Sequence, residues 1–200
     1  MLKIMTVCTG NICRSPLAEV LLRARLKGSP IEVVSRGTHA LVDRPMTAET
    51  LERAILHGAD RDVSLAHRGA LLREDDLRDV DLVLAMTREH RAHVVDLAPP
   101  KVRSAFTLLE FARLARVVSD EELESAAADV RGGKHRYALM RDHLAALRGE
   151  LGPLSRAAEY DVPDPYRRGD DAYDRASELL VPAVDAVTRV MRLAVSRTRA

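Results

Sequence analysis

The sequence predicts an α/β fold: a three-layer sandwich with a central parallel, mainly four-stranded sheet flanked by helices, plus an inserted helical pair. Three observations carry that expectation. Short apolar, β-favouring runs alternate with helical patterns along the first half of the chain. The first such junction is a loop of small residues, "CTGNICRS", between a strand and a helix. A region rich in alanine and charge, from about 119 to 152, then holds two helical patterns with no strand between them.

Each element follows from local chemistry. "LKIMTV" (Leu2–Val7) suits a buried parallel strand. "SPLAEVLLRARLKG" reads as a helix that Ser15 caps, with Pro16 in its first turn and Gly28 at its end. "IEVVS" (Ile31–Ser35) is a second strand, and Thr47–Gly58 a helix between a capping threonine and a terminal glycine. "DLVLAM" (Asp81–Met86) is a third strand, followed by a helix from Thr87 that Pro99 stops. Ser119 and Glu122 form a capping box for the first inserted helix. The second offers Tyr137, Met140, Leu144 and Leu147 as an apolar stripe, for packing or for a partner. Glu159–Asp174 is polar and proline-broken and reads as a loop. In the last helix Leu180, Val184, Val187, Met191 and Ala194 mark one buried face, and Pro182 predicts a kink or an irregular start.

Composition narrows the class. A chain of 200 residues with 46% hydrophobic and 30% charged residues reads as one folded domain with a core of its own. A net charge of +1 argues against nucleic acid as a partner. No segment is apolar and long enough for a membrane span, and the N-terminus lacks a signal peptide's pattern, so the expected location is the cytoplasm. The abundance of arginine over lysine leans toward a GC-rich bacterial genome. Two cysteines make no disulfide framework.

Those two cysteines lie in the small-residue loop. A loop at a strand's carboxyl end, with a helix N-terminus behind it, can turn backbone N–H groups inward and hold an anion. Arg14 adds a planar fork matched to two phosphoryl oxygens. Cys8 ends the strand beside the same cradle, where those donors would stabilise a thiolate. His90 and His93, three apart on a helix, read as a solvated face rather than a metal pair.

Cys8, five residues, then Arg14 and Ser15 make the C-x5-R-S pattern of cysteine phosphatases. "CTGNICRSPLAE" resembles the low-molecular-weight protein tyrosine phosphatase family, which is related to thioredoxin-coupled arsenate reductases. "VVSRGTHA", "AHRGALL", "DLVLAM" and "DVPDPY" resemble further landmarks of that family in the same order. The resemblance implies a single phosphatase domain over 1–200 with a helical insertion at about 119–152. It implies a metal-independent hydrolase of phosphotyrosine-type monoesters that works through a phosphocysteine. Cys8 would be the nucleophile, Arg14 the oxyanion clamp, and Asp164 the acid and then the base. Thr9, Gly10, Asn11, Ile12, Cys13 and Ser15 would complete the phosphate-binding loop. Ser35, His67 and Tyr166 would support it, and Cys13 would serve as a second thiol able to form a reversible disulfide with Cys8. No metal and no cofactor are expected; the partner would be a phosphorylated protein or a small phosphoester. The alternatives are arsenate reduction with an external thiol, and a non-catalytic phosphate-binding adaptor. Four positions depart from the family's pattern. Arg36 replaces a small residue, Leu41 and Val42 are the nearest apolar residues to a missing aromatic wall, Arg167 and Arg168 follow Tyr166, and Thr87 replaces an acid.

Overall fold

The structure, a computed structural model, describes residues 1–152 and 156–196. Strands β1 (Leu2–Cys8), β2 (Ile31–Gly37), β3 (Leu82–Ala85) and β4 (Ala105–Thr107) form one parallel sheet in the order β2-β1-β3-β4. Between them and after them run α1 (Arg14–Arg25), α2 (Ala48–Leu56), α3 (Arg61–Ala66), α4 (Arg88–Leu97), α5 (Leu108–Arg116), α6 (Asp120–Ala126), α7 (Gly133–Glu150) and α8 (Asp170–Ser196). The chain leaves β1 for β2 on one side and later returns to β3 on the other. That reversal opens a crevice at the carboxyl end of β1, where such sheets bind ligands.

Alternation along the strands divides the core between two faces. Ile4, Leu82, Leu84 and Phe106 pack with α1, α5, α7 and α8, while Met5, Val7, Val83 and Ala105 pack with Val94 of α4. Every β1 residue from Ile4 to Cys8 is buried, which is why this strand reads as a continuous apolar run rather than an alternating one.

Several boundaries differ from the sequence reading. Helix α1 starts at Arg14, and its N-cap Cys13 makes no side-chain cap. Ser15 therefore does not cap the helix; its hydroxyl is turned to Cys8 instead. Pro16 falls in the first turn, where its missing N–H would have had no helical partner. The three-residue β4 is too short for any period to reveal. Helix α5 is announced by a capping box at Thr107 and Glu110 that the reading did not use. Helix α8 begins at Asp170, inside the stretch assigned to a loop, and runs through Pro182. Pro182 is exposed, so the lost hydrogen bond sits on the solvent side, where it is least costly.

Helices α6 and α7 are the predicted helical pair, and the capping box at Ser119 and Glu122 is present. The stripe on α7 is not a free docking face. Tyr137, Met140 and Leu144 are fully buried in the main core, and α7 packs against α5, α6 and α8. Arg148 fastens the end of α7 to the sheet side by an ion pair with Glu110 at 2.8 Å, with its guanidinium over the Phe106 ring. Met140→Ala is therefore expected to lower stability by about 3 kcal/mol, the usual cost of truncating a buried long side chain. Urea unfolding followed by circular dichroism measures it, and a loss under about 1 kcal/mol would mean that α7 contributes little to the core.

Candidate active site

The site is built from the loop between β1 and α1. Its carbonyls point outward, and each is taken. Cys8 O accepts from Thr38 N at 2.9 Å, Thr9 O from His39 N at 3.0 Å, Gly10 O from Leu41 N at 2.9 Å, and Ile12 O from Thr47 N at 3.0 Å. The fifth, Asn11 O, accepts from His67 Nε2 at 2.8 Å. With the carbonyls turned out, the amides turn in. Among the described residues, no main-chain acceptor takes the amides of Thr9 to Cys13. A run of unpaired N–H groups at a helix N-terminus is an anion cradle. Gly37 of β2 allows the close approach: a Cβ there would stand 2.5 Å from Thr9 O.

Asn11 holds the curve. Its φ is +55°, a left-handed value that asparagine tolerates. The side chain is fully buried and bonded at both ends. Oδ1 accepts from Ala70 N at 2.9 Å, and Nδ2 donates to Ser15 Oγ at 3.0 Å and Ser35 Oγ at 2.8 Å. Ser15 Oγ in turn donates to Cys8 Sγ at 3.0 Å, a contact that favours negative charge on the sulfur. Ser35 Oγ donates to Glu19 Oε2 at 2.6 Å, and His67 Nδ1 lies 3.6 Å from the same oxygen. The loop residues Asn11 and Ser15 and the supports Ser35 and His67 thus meet in one network. Glu19, which completes it, was missed; its place one turn after Ser15 on a buried helix face was the available signal.

Arg14 is 5% exposed and lies beside the cradle. Its guanidinium donates to Val162 O at 3.1 Å and pairs with Asp164 Oδ2 at 3.0 Å, while its buried Nε has no protein partner. A buried guanidinium with a donor to spare suits a tetrahedral oxyanion. Asp164 is 45% exposed on its side chain and stands at the rim, so it can meet both solvent and a leaving group. Its loop is docked on the start of α4. Val162 N donates to Met86 O at 2.8 Å, and Asp161 takes both the Arg88 amide, at 2.8 Å, and the Arg88 guanidinium, at 2.9 Å. Asp164, Tyr166, Ile12, Leu41 and His39 line a cleft of about 200 Å³ with Cys8 at its floor. Arg167, at φ +60°, places its guanidinium 5.0 Å from the Tyr166 ring centroid.

The remaining positions fall differently from one another. Cys13 is buried with its Sγ 3.6 Å from Tyr173 Oη and 3.9 Å from Thr47 Oγ1, and burial pushes its thiol pKa up. His90 is not on a solvated face. It is 5% exposed, and burial with the nearby Arg14 charge drives its pKa down to about 4, so it is neutral. The described residues hold no cluster of three or more metal-ligating side chains. Arg36, one of the unexpected residues, pairs with Asp76 at 2.9 Å on the far side of β2.

The Glu19 carboxyl is costly to bury, yet the adjacent His67 ring and the Ser35 hydroxyl outweigh burial and hold its pKa below the usual 4.5. A lowered folded-state pKa gives stability that is present above 4.5 and lost as the pH falls through the folded value. Glu19→Gln is accordingly expected to cost about 2–3 kcal/mol at pH 7. The gap between variant and parent should close as unfolding is repeated at pH values below 4.5. A gap that stays constant across that range would mean that Glu19 charge does not support the loop.

Comparison with known proteins agrees with this geometry. The family described as "Low molecular weight phosphotyrosine protein phosphatase" matches residues 3–144. The chain is 46% identical over 96 residues to the low molecular weight protein-tyrosine-phosphatase Etp of Escherichia coli (strain K12), a match that takes in 48% of this chain and 62% of that one. It is 34% identical over 110 residues to the protein-arginine-phosphatase of Bacillus subtilis (strain 168), covering 54% of this chain and 70% of that one. Its fold is similar to the crystal structure of a low molecular weight protein tyrosine phosphatase from T. tengcongensis, with a TM-score of 0.64 and 28% identity over 94% of this chain and 97% of the other.

Proposed function

Since the chain belongs to the low molecular weight phosphotyrosine protein phosphatase family, we propose that it hydrolyses phosphomonoesters through a phosphocysteine at Cys8. The observation that carries this reading is the ring of inward amides between Cys8 and Arg14, with Ser15 bonded to the Cys8 sulfur. Residues 1–200 then form one phosphatase domain in which 119–152 is an inserted helical pair.

The steps follow from the side chains present. The Cys8 sulfur attacks phosphorus from the floor of the cleft as the bond to the leaving oxygen breaks. The loop amides and Arg14 take the equatorial oxygens, where the charge of the transition state gathers. Asp164, in its protonated form, gives its proton to the leaving oxygen at the rim. The resulting carboxylate takes a proton from water, which attacks phosphorus, releases phosphate and returns the thiolate. Thr9, Gly10, Ile12 and Cys13 contribute main chain or lining, Asn11, Ser35 and His67 hold the loop, and Tyr166 walls the cleft. The reading as an arsenate reductase with an external thiol is not favoured, because the matching family and the relatives above are phosphatases.

Steady turnover of p-nitrophenyl phosphate, absent from an adaptor, tests the proposal. Cys8→Ser should lower it below about a hundredth of the parent, and Asp164→Ala should slow poor leaving groups more than good ones. Turnover that survives Cys8→Ser, or equal losses across a leaving-group series, would refute the assigned roles.

The relatives include both tyrosine and arginine phosphatases. The apolar walls Ile12, Leu41 and Tyr166 support an aryl phosphate. Asp164 is the one acid among the lining residues and is given to the leaving group's proton, so no second carboxylate faces a substrate guanidinium. A phosphotyrosyl peptide is expected to exceed its phosphoarginyl counterpart in kcat/KM by about tenfold or more. Parity or the reverse order in a direct competition would overturn the aryl reading.

A further inference from the structure

On the β2 side the cradle is held by the main-chain amides of Thr38, His39 and Leu41. On the β3 side, α4 reaches it through one side chain among the described residues. His90 Nε2 lies 2.8 Å from Thr9 Oγ1, and His90 Nδ1 lies 2.9 Å from Thr87 Oγ1. Thr87 also caps α4 by accepting the His90 amide at 3.3 Å. The imidazole is therefore clamped at both ring nitrogens, buried, and set against an exposed threonine that lines the cleft.

We propose that His90 is a positioning residue for the anion cradle, fixing Thr9 and thereby the first peptide after Cys8. This rests on the phosphatase reading of the site. Thr9 is β-branched, so pinning its hydroxyl fixes χ1 and restricts the backbone on either side. That backbone carries the first inward amide, and its carbonyl is the one that passes closest to Gly37. Burial and the Arg14 charge keep the ring neutral. A neutral ring has one donor and one acceptor, so it accepts a hydrogen bond from one threonine hydroxyl and donates one to the other. Both bonds persist at pH values well above 4, where the ring keeps its single proton.

Thr9→Val keeps the shape and removes the hydroxyl, whereas Thr9→Ser keeps the hydroxyl. Thr9→Val is expected to lower kcat/KM on p-nitrophenyl phosphate about tenfold, as small misplacements of reacting groups do, and to weaken inhibition by inorganic phosphate to a similar degree. Thr9→Ser, which keeps the hydroxyl that faces His90, should recover most of that loss. His90→Leu should match Thr9→Val, the double variant should be no worse than the poorer single, and His90→Gln should recover most of the loss. Losses that multiply in the double variant, or Thr9→Val equal to Thr9→Ser, would overturn the proposal and leave His90 as packing. If His90→Leu does not fold, the Thr9 pair decides alone. If the parent turns over no phosphoester, the phosphatase reading fails, and calorimetric binding of inorganic phosphate to the same variants still tests His90.

Discussion

The Asn11 carboxamide is the constraint on which the head of the sheet depends. A loop that turns its amides inward must spend a left-handed residue at its bend and must find partners outside for its carbonyls. Asn11 meets both demands at once, because its side chain satisfies neighbours on three segments while its carbonyl is held by His67. Leaving any of these buried groups unpaired costs about 1–3 kcal/mol, so the polar cluster of Asn11, Ser15, Ser35 and Glu19 is stable only when complete. Completeness is also what makes it useful. The same hydroxyl that satisfies Asn11 points its proton at the Cys8 sulfur, so the fold's hydrogen bonds and the nucleophile's setting are one arrangement.

A second anchoring point is the start of α4. Thr87 caps the helix and holds His90, which reaches the cradle. The adjacent Arg88 and Met86 hold the segment that carries Asp164. The loop of Cys8 and the segment of Asp164 come from opposite ends of the sequence, yet both are registered against one helix N-terminus. Surface ion pairs contribute little by themselves. The Arg88–Asp161 pair gains from a further bond, the Arg88 main-chain amide, which fixes geometry as well as charge.

Much of this was legible in the sequence, and the gaps have physical causes. Three strands showed because they are short apolar, β-favouring runs, and the loop showed because small residues, cysteine and arginine at fixed spacing have few other uses. Ser15 was misread as a cap because a serine before a helix usually bonds the helix's own amides; here those amides are turned to the cradle and the hydroxyl serves sulfur. His90 was misread because its neighbours Glu89 and Arg91 are polar, and a local pattern does not reveal that Thr9 lies opposite, 81 positions earlier. Glu19 was passed over because a charged residue on a helix is usually solvated, and its partners Ser35 and His67 come from two other segments.

The departures from the family's pattern bear on the same distinction between chemistry and support. Arg36 turns away from the cradle to Asp76, so a bulky cation at this place on β2 is absorbed by a neighbour rather than by the anion site. Thr87 gives α4 a neutral cap that can also bond an imidazole; a carboxylate there would put a full negative charge beside a ring that burial, and next the Arg14 charge, keep neutral. Leu41 leaves the cleft wall apolar but thinner, with Tyr166 as the aromatic in the lining. Thr87 and Leu41 steady or line the cleft, Arg36 lies off it, and none of the three stands in place of Cys8, Arg14, Ser15 or Asp164. The variation therefore bears on the cleft wall and on how firmly the loop is held, while the residues proposed for attack on phosphorus are the ones the pattern calls for.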